Sequence, residues 1–437
     1  MNFAKYYLPN LASRWNVNVE ALRIDLMPGT KRKIDLGRRF PIVLQLFIGL
    51  GGFPALILAQ PASPTLDVRI NRTNVVFGLS SQPGLFYTWQ KSSDLSNWVS
   101  NEAIFAGSSS LSLTDSLVAP AGTEFVRAKI NPPNTTAVTN YAGWTNTVLL
   151  NNGLVEAVIV PPVGRVLQFR FLGASDGAFW ENRSLYGQIA SPTSWNTEGS
   201  FGGDKAWPSP QSDWGWPPPS GFDGSPYQIA LSNGVVVLSS PEDPTYRIRV
   251  TRVIELKFDE PIMRIKTIFQ RSAATTLTNR QLGTWIITQL QDPQGCYVPV
   301  PAASIFPGGY YQLGSGLPAQ FRNTNGVISF TRDSAASHKL GFDAGILVWV
   351  GTNLALRIDA PRLTGLTASS YPDNGCSTEV YTNPGTNAPY VELESLGPLY
   401  LLGVGQQKEF VTTYTLFHRT QSDPDADARG ILARPTP

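Results

Sequence analysis

Between Tyr246 and Phe269 the chain alternates apolar and polar residues with period two, and few folds accommodate that pattern. Ile248, Val250, Ile254, Leu256 and Phe258 take one face, while Arg247, Arg249, Thr251, Glu255 and Lys257 take the other. Successive side chains of a strand point to opposite sides, so such a run keeps one face in a core and one in water. Asp259-Glu260-Pro261 then turns the chain into a second run, with Met263, Ile265, Thr267 and Phe269 opposed to Arg264, Lys266 and Gln270. The two read as a long antiparallel hairpin. Similar runs occur at 154–160, 165–172, 235–238, 285–290, 345–350, 354–358, 390–394 and 410–417. No stretch keeps helical spacing for more than about two turns. With 39 Gly and 35 Pro punctuating 437 residues, the expected fold class is all-β, built of large twisted antiparallel sheets.

Charge divides the chain further. Lys31, Arg32, Lys33, Arg38 and Arg39 precede the nearly uncharged stretch FPIVLQLFIGLGGFPALILA, from Phe40 to Ala59. That order is expected of an export leader, with Ile57 and Ala59 at the two positions before a cleavage site and Met27 as an alternative start. An uncleaved membrane anchor is the rival, since the stretch is about long enough to span a bilayer, although Pro41, Pro54 and three Gly weaken it. Residues 1–59 are therefore read as leader or anchor, and the chain as exported to the periplasm, the exterior or the cell surface. Eight of the 34 Lys and Arg but only three of the 32 Asp and Glu lie in that segment, so the remainder is mildly acidic. It has no basic stripe interleaved with aromatics, which argues against a nucleic-acid partner. Residues 132–136, polar and stiff, read as a linker between a small unit (60–131) and a large one (137–421), with 422–437 a polar tail.

Five of the eleven Trp fall between Trp180 and Trp216, mostly in the run FGGDKAWPSPQSDWGWPPPSGFDGSPY ending at Tyr227. The run lacks helical or strand periodicity and has the composition of a binding loop. Gly202 and Gly203 permit turns closed to other residues, and prolines remove freedom. Trp207, Trp214 and Trp216 offer flat apolar faces with an N–H handle. Rigid aromatics beside Asp204, Lys205, Asp213 and Asp223 suit a ligand polar at its edges and apolar on its faces, as a sugar ring is. A Trp plug at a sandwich end is the competing explanation.

In the small unit, FYTWQKSSDLSNWVS resembles an immunoglobulin- or fibronectin-like module of large secreted bacterial proteins, through Tyr87, Ser92, Asp94, Leu95 and Trp98. The resemblance implies a small β-sandwich serving as a spacer or for adhesion, with Trp89 and Trp98 as core or turn plugs. The large unit resembles the galactose-mutarotase-like superfamily. The resemblance rests on NNGLVEAVIVPPVGRVLQFRFLG, GGDKAWPSPQ with WPPPSGFDGSPY, NRQLGTWIITQL, and YVELESLGPLYLLGVGQQKEFVTTYTLF. It implies a supersandwich of two large antiparallel sheets with a sugar cleft on a concave face, to which a late strand brings a carboxylate base.

Glu392 and Glu394 stand two apart on that strand, so both point to one face, and either matches the base. Sugar ring opening needs a base for the anomeric hydroxyl and an acid for the ring oxygen. A mutarotase-like acid would be a central His, but Trp285 stands where it is expected, while His338 and His418 lie outside the matching motifs. The expected ligand contacts are Asp204, Lys205, Trp207, Trp214, Trp216, Asp223, Arg280, Trp285 and Lys339. No metal-ligand cluster, nucleotide loop or Ser-nucleophile elbow is present in the sequence, and no cofactor is expected. Cys296 and Cys376 are permitted to pair in an exported chain. Two readings remain: a secreted carbohydrate-binding protein whose cleft has lost its acid, or a carbohydrate-active enzyme, epimerase-like or less readily a hydrolase or lyase, with a late-strand Glu as base.

Overall fold

The computed structural model describes residues 22–25, 34–35 and 66–437, apart from 72–73, 82–85, 93, 95, 107, 117–122, 132–133, 192–199 and 233. The stretch 40–59 read as a leader or anchor lies outside the described residues. The chain divides into two compact units, 1–133 and 134–437.

The first unit has two antiparallel sheets. Five strands run in the order Ile34–Asp35, Leu22–Asp25, Thr123–Asn131, Phe86–Ser92 and Val99–Phe105, and three in the order Leu66–Asn71, Asn74–Ser80 and Ser110–Ser116. Phe77 of one sheet meets Trp89 of the other at 5.6 Å between ring centroids, and both are buried, so Trp89 is core. Ser92 and Asp94 build the turn after that strand. The Asp94 carboxylate accepts the Ser96 and Asn97 backbone N–H groups and the Asn97 amide, and the Arg127 guanidinium lies 3.9 Å over Trp98.

The second unit is a sandwich of an eleven-stranded and a ten-stranded antiparallel sheet, the all-β architecture expected from the sequence. The hairpin forms as Ile248–Leu256 and Ile262–Arg271, with Ile254 opposite Ile265. One core lies between the sheets and takes Val250, Ile254, Met263 and Ile265 from the ten-stranded sheet and Ile286, Leu290, Val391 and Leu393 from the other. At about 25 cal/mol per Å2 of apolar surface, burial of such a continuous layer is the dominant stabilising contribution.

Three expectations are corrected. The segment Asp204–Ser209 is a strand at the centre of the eleven-stranded sheet, between Arg165–Phe171 and Gln281–Gln291. All six residues are buried, and a strand covered on both faces shows no alternation. Only the residues after it form the connection. The polar tail contains a helix, Pro424–Leu432, capped by the Asp423 carboxylate and burying Asp427, Ala428 and Ile431, with the two apolar residues packed among Tyr297, Val348 and Val350. Cys296 and Cys376 are free thiols. Cys296 belongs to the core between the sheets, whereas Cys376 packs against Gly341 of the eleven-stranded sheet and donates to the Asp373 carbonyl at 2.9 Å.

Candidate functional site

Strand register assembles the site. On Gln281–Gln291, Leu282, Ile286 and Leu290 face the core, so Trp285, Ile287 and Gln289 face the opposite side. Trp207 pairs with Trp285 and Trp285 with Leu396, forming one row. Lys205, Ile287, Glu394 and Glu379 form the next. Gln289, Glu392, Tyr381 and Lys339 form a third. The structure therefore brings together six of the residues singled out in the sequence: Lys205, Trp207, Trp285, Lys339, Glu392 and Glu394. Two glycines open the strand that supplies Lys205. Gly203 has φ +70° and would place a Cβ 2.3 Å from the Val166 carbonyl, so only glycine fits there.

The charges on this face are shared among few partners. The Lys339 ammonium lies 2.7 Å from Glu379 and 3.0 Å from Glu394, and 4.5 Å over the Trp285 ring. The Trp285 indole N–H donates to Glu394 at 2.6 Å. Lys205 sits 3.8 Å from Glu392 and 4.3 Å over Trp207, and the Gln289 amide donates to Glu392 at 2.9 Å. Glu379 and Glu394 are completely buried; apart from the ion pair with Lys339, neither Glu379 oxygen has a hydrogen-bond partner among the described residues, and Oε1 of Glu394 has none.

Protonation follows from that geometry. Burial pushes the Glu379 carboxyl well above the usual carboxylate range; Lys339 opposes the rise and Glu394 adds to it. Repulsion between two buried carboxylates on one ammonium favours the protonated form of Glu379. Burial acts to lower the Lys339 ammonium, but Glu394 and Glu379 outweigh it and hold the amine charged. Glu392 is raised, first by burial and then by Glu394, against Lys205 and Lys339. Lys205 is lowered by burial, with Glu392 opposing.

Other expected contacts are displaced. Asp204 faces the core, where it accepts from Thr288 at 2.7 Å, from Tyr414 and from Arg252; Tyr414 and Arg252 belong to the ten-stranded sheet, so Asp204 ties the sheets together. Asp223 is buried and accepts from Arg165 at 2.8 Å and from the Trp207 indole at 2.8 Å, which makes it a support for the aromatic row. Trp207 and Trp285 are only 5% and 4% exposed. They hold the floor instead of presenting open faces. Trp214 packs edge-on to Trp207 at 5.4 Å and donates to the Pro208 carbonyl. Trp216, 57% exposed, is the platform of that group. Arg280 is exposed and bonded to Asp213 at 3.0 Å. His338 shares its strand with Lys339 but points the opposite way, between the Ser315 carbonyl and Asp333, and His418 stacks on Phe171.

Sequence reasoning missed Glu379, Tyr381 and Gln289. The alternation Glu379-Val380-Tyr381 was the available signal, with Val380 in the core. It also missed the adjoining cavity of about 800 Å3, whose walls include Trp180, Glu181, Asn182, Ser200, Gln291 and Tyr390. Among the described residues, no group of three or more His, Cys, Asp or Glu side chains is arranged to hold a metal.

No family model and no curated protein matches this sequence. Among solved structures, a candidate aldose 1-epimerase from Escherichia coli K12 is similar over 65% of this chain and 100% of its own, at 12% identity and TM-score 0.42. A candidate mutarotase from Salmonella typhimurium is similar over 62% of this chain and 90% of its own, at 12% identity and TM-score 0.41. A candidate aldose 1-epimerase from Klebsiella pneumoniae is similar over 68% of this chain and 85% of its own, at 10% identity and TM-score 0.45. At these identities the likeness concerns the fold alone.

Proposed function

We propose that the large unit binds a saccharide on the outer face of its eleven-stranded sheet, and that the chain is an exported carbohydrate-binding protein. The observation that carries this reading is the convergence of Trp207, Trp216 and Trp285 with Lys205–Glu392 and Lys339–Glu394 on one face. The open Trp216 face, held on the buried row of Trp207 and Trp285 beside fixed donors and acceptors, matches the alternating apolar and hydroxyl surfaces of a sugar. Most of the charges already neutralise one another, which favours holding a ligand over transforming it. Titration calorimetry of the full chain against a saccharide panel tests the reading. Binding that Trp216→Ala weakens by about 1 kcal/mol or more, the scale of a lost aromatic anchor, supports it. No binding across the panel rejects it. N-terminal sequencing of protein recovered outside the cytoplasm tests export separately.

One observation favours turnover as a second reading. Glu392 is raised and Lys205 lowered, both by burial, at a separation of 3.8 Å, which brings a carboxylate and an amine toward the range where each exchanges protons near neutrality. In an epimerase-like reaction Glu392 would take the anomeric proton and an amine would serve the ring oxygen. Polarimetry on freshly dissolved aldoses measures this directly, and a reducing-end assay on polysaccharides measures hydrolysis.

A further inference from the structure

The cavity beside Glu392 is chemically distinct from the Lys and Glu floor. Its volume of about 800 Å3 lies in the upper part of the range for small-molecule sites, about 300–1,000 Å3. Trp180 and Tyr390 meet in its wall at 4.6 Å with their rings inclined by 35°, forming an aromatic wedge. The Gln291 side-chain amide donates to the Gly177 carbonyl, whereas the Asn182 amide donates to the Ser200 carbonyl and its oxygen accepts from the Ser184 backbone N–H and hydroxyl. Gln291, anchored through its amide nitrogen, presents its carbonyl oxygen in an orientation suited to hydroxyl groups, while Asn182 fixes the wall.

The cavity adjoins the charged floor. Ser200 on the cavity wall donates to Gln289 at 2.6 Å, and Gln289 donates to Glu392 at 2.9 Å. Tyr390 and Glu392 are two residues apart on one strand, so they share a face about 7 Å apart. The electrostatics of the wall select further. Asp176, Glu181 and Asp292 line it with Arg183 as the one cation among the described lining residues. Arg183 bonds Asp176 at 3.2 Å, Arg332 bonds Asp292 at 2.8 Å, and Glu181 accepts from Tyr141, Tyr186 and Gln168. An incoming carboxylate or sulfate would meet like charge whose counter-ions are already engaged.

We propose that this cavity is a second saccharide subsite, and that the ligand is an uncharged oligosaccharide running from Glu392 past Ser200 onto the Trp180–Tyr390 wedge. The proposal rests on the saccharide reading above and extends it to chain length and charge. The test is calorimetry of the full chain with glucose, galactose and mannose, with cello-, malto-, manno- and galactotetraose, and with tetragalacturonate. At least one neutral tetrasaccharide binds at least tenfold more tightly than its monosaccharide and than tetragalacturonate. Trp180→Ala removes that advantage and leaves monosaccharide affinity within about twofold, while Trp180→Phe, a milder change at a half-buried position, keeps part of it. Circular dichroism and the thermal midpoint establish that each variant is folded. Equal affinity for monosaccharide and tetrasaccharide, an equal loss for both in folded Trp180→Ala, or preferential binding of tetragalacturonate overturns the second subsite while leaving saccharide binding at Glu392 intact. No binding of any sugar overturns the saccharide reading and this proposal together.

Discussion

Replacing Lys339 with Met tests how far the outer-face carboxylates depend on one ammonium. The methionine keeps most of the volume over Trp285 and removes the charge 2.7 Å from Glu379 and 3.0 Å from Glu394. Burial already holds the Glu379 carboxyl well above its ordinary value of 4.5, with Lys339 opposing the rise, so the variant leaves the pair of carboxyls without the cation they share and forces it to take up one further proton. A buried carboxylate that loses its cation escapes by taking up a proton, which costs about 1.4 kcal/mol for each pH unit above its ordinary value. For a carboxyl of ordinary value near 4.5 the loss is therefore about 3 kcal/mol at pH 7 and under about 1 kcal/mol at pH 5. The first figure lies within the range of about 3–5 kcal/mol for stranding one member of a buried ion pair. The sign is also determined. A carboxyl whose folded value is raised holds its proton in the folded state, so its contribution is present at low pH and is lost as pH rises through the folded value. Urea titrations at pH 5 and pH 7, followed by tryptophan fluorescence with the slope m compared between variants, measure both quantities. The expected deficit is near 3 kcal/mol at pH 7 and less than half that at pH 5. A deficit independent of pH, or below about 1 kcal/mol at pH 7, refutes the shared-ammonium account.

Four further outcomes are expected. Trp216→Ala weakens saccharide binding by about 1 kcal/mol or more with little change in stability, whereas Trp207→Ala, emptying a buried site, destabilises by about 3–5 kcal/mol; calorimetry and urea titration separate the two. Asp204→Ala strands Arg252 in the core and costs about 3–5 kcal/mol without a direct effect on ligand contacts, which unfolding curves will register. If sugars are turned over, Glu392→Gln lowers the rate by about 10²-fold or more with affinity nearly intact, and the native rate falls on acidification through the raised Glu392 value; unchanged polarimetric rates would exclude Glu392 as base. Both thiols stay unreactive toward an aromatic disulfide until the protein unfolds, because burial raises Cys296 and Cys376, and adding reductant leaves the thermal midpoint unchanged.

Much of the architecture was legible because alternation reports one wet and one dry face. Ile248–Leu256 and Ile262–Arg271 each have a solvated side, and their sequences state it. Asp204–Ser209 was not legible as a strand because both of its faces are covered, which erases the period and leaves a Gly-, Pro- and Trp-rich composition resembling a loop. The helix Pro424–Leu432 was missed for a related reason: nine residues give one short apolar pair, Ala428 and Ile431, too few to establish a helical period.

The order of residues determined the all-β class and the shared face of Glu392 and Glu394. Each follows from spacing along one strand, where geometry is set by the backbone alone. Tertiary structure decided which strands became neighbours. Register alone put Glu379 beside Glu394, directed Lys339 between them, and turned Asp204 toward Arg252 and Tyr414 of the other sheet. It also closed Trp207 and Trp285 into a floor while leaving Trp216 open. Pairing between strands more than 100 residues apart carries no local signature, because the hydrogen bonds that fix it join backbone groups common to every residue except proline.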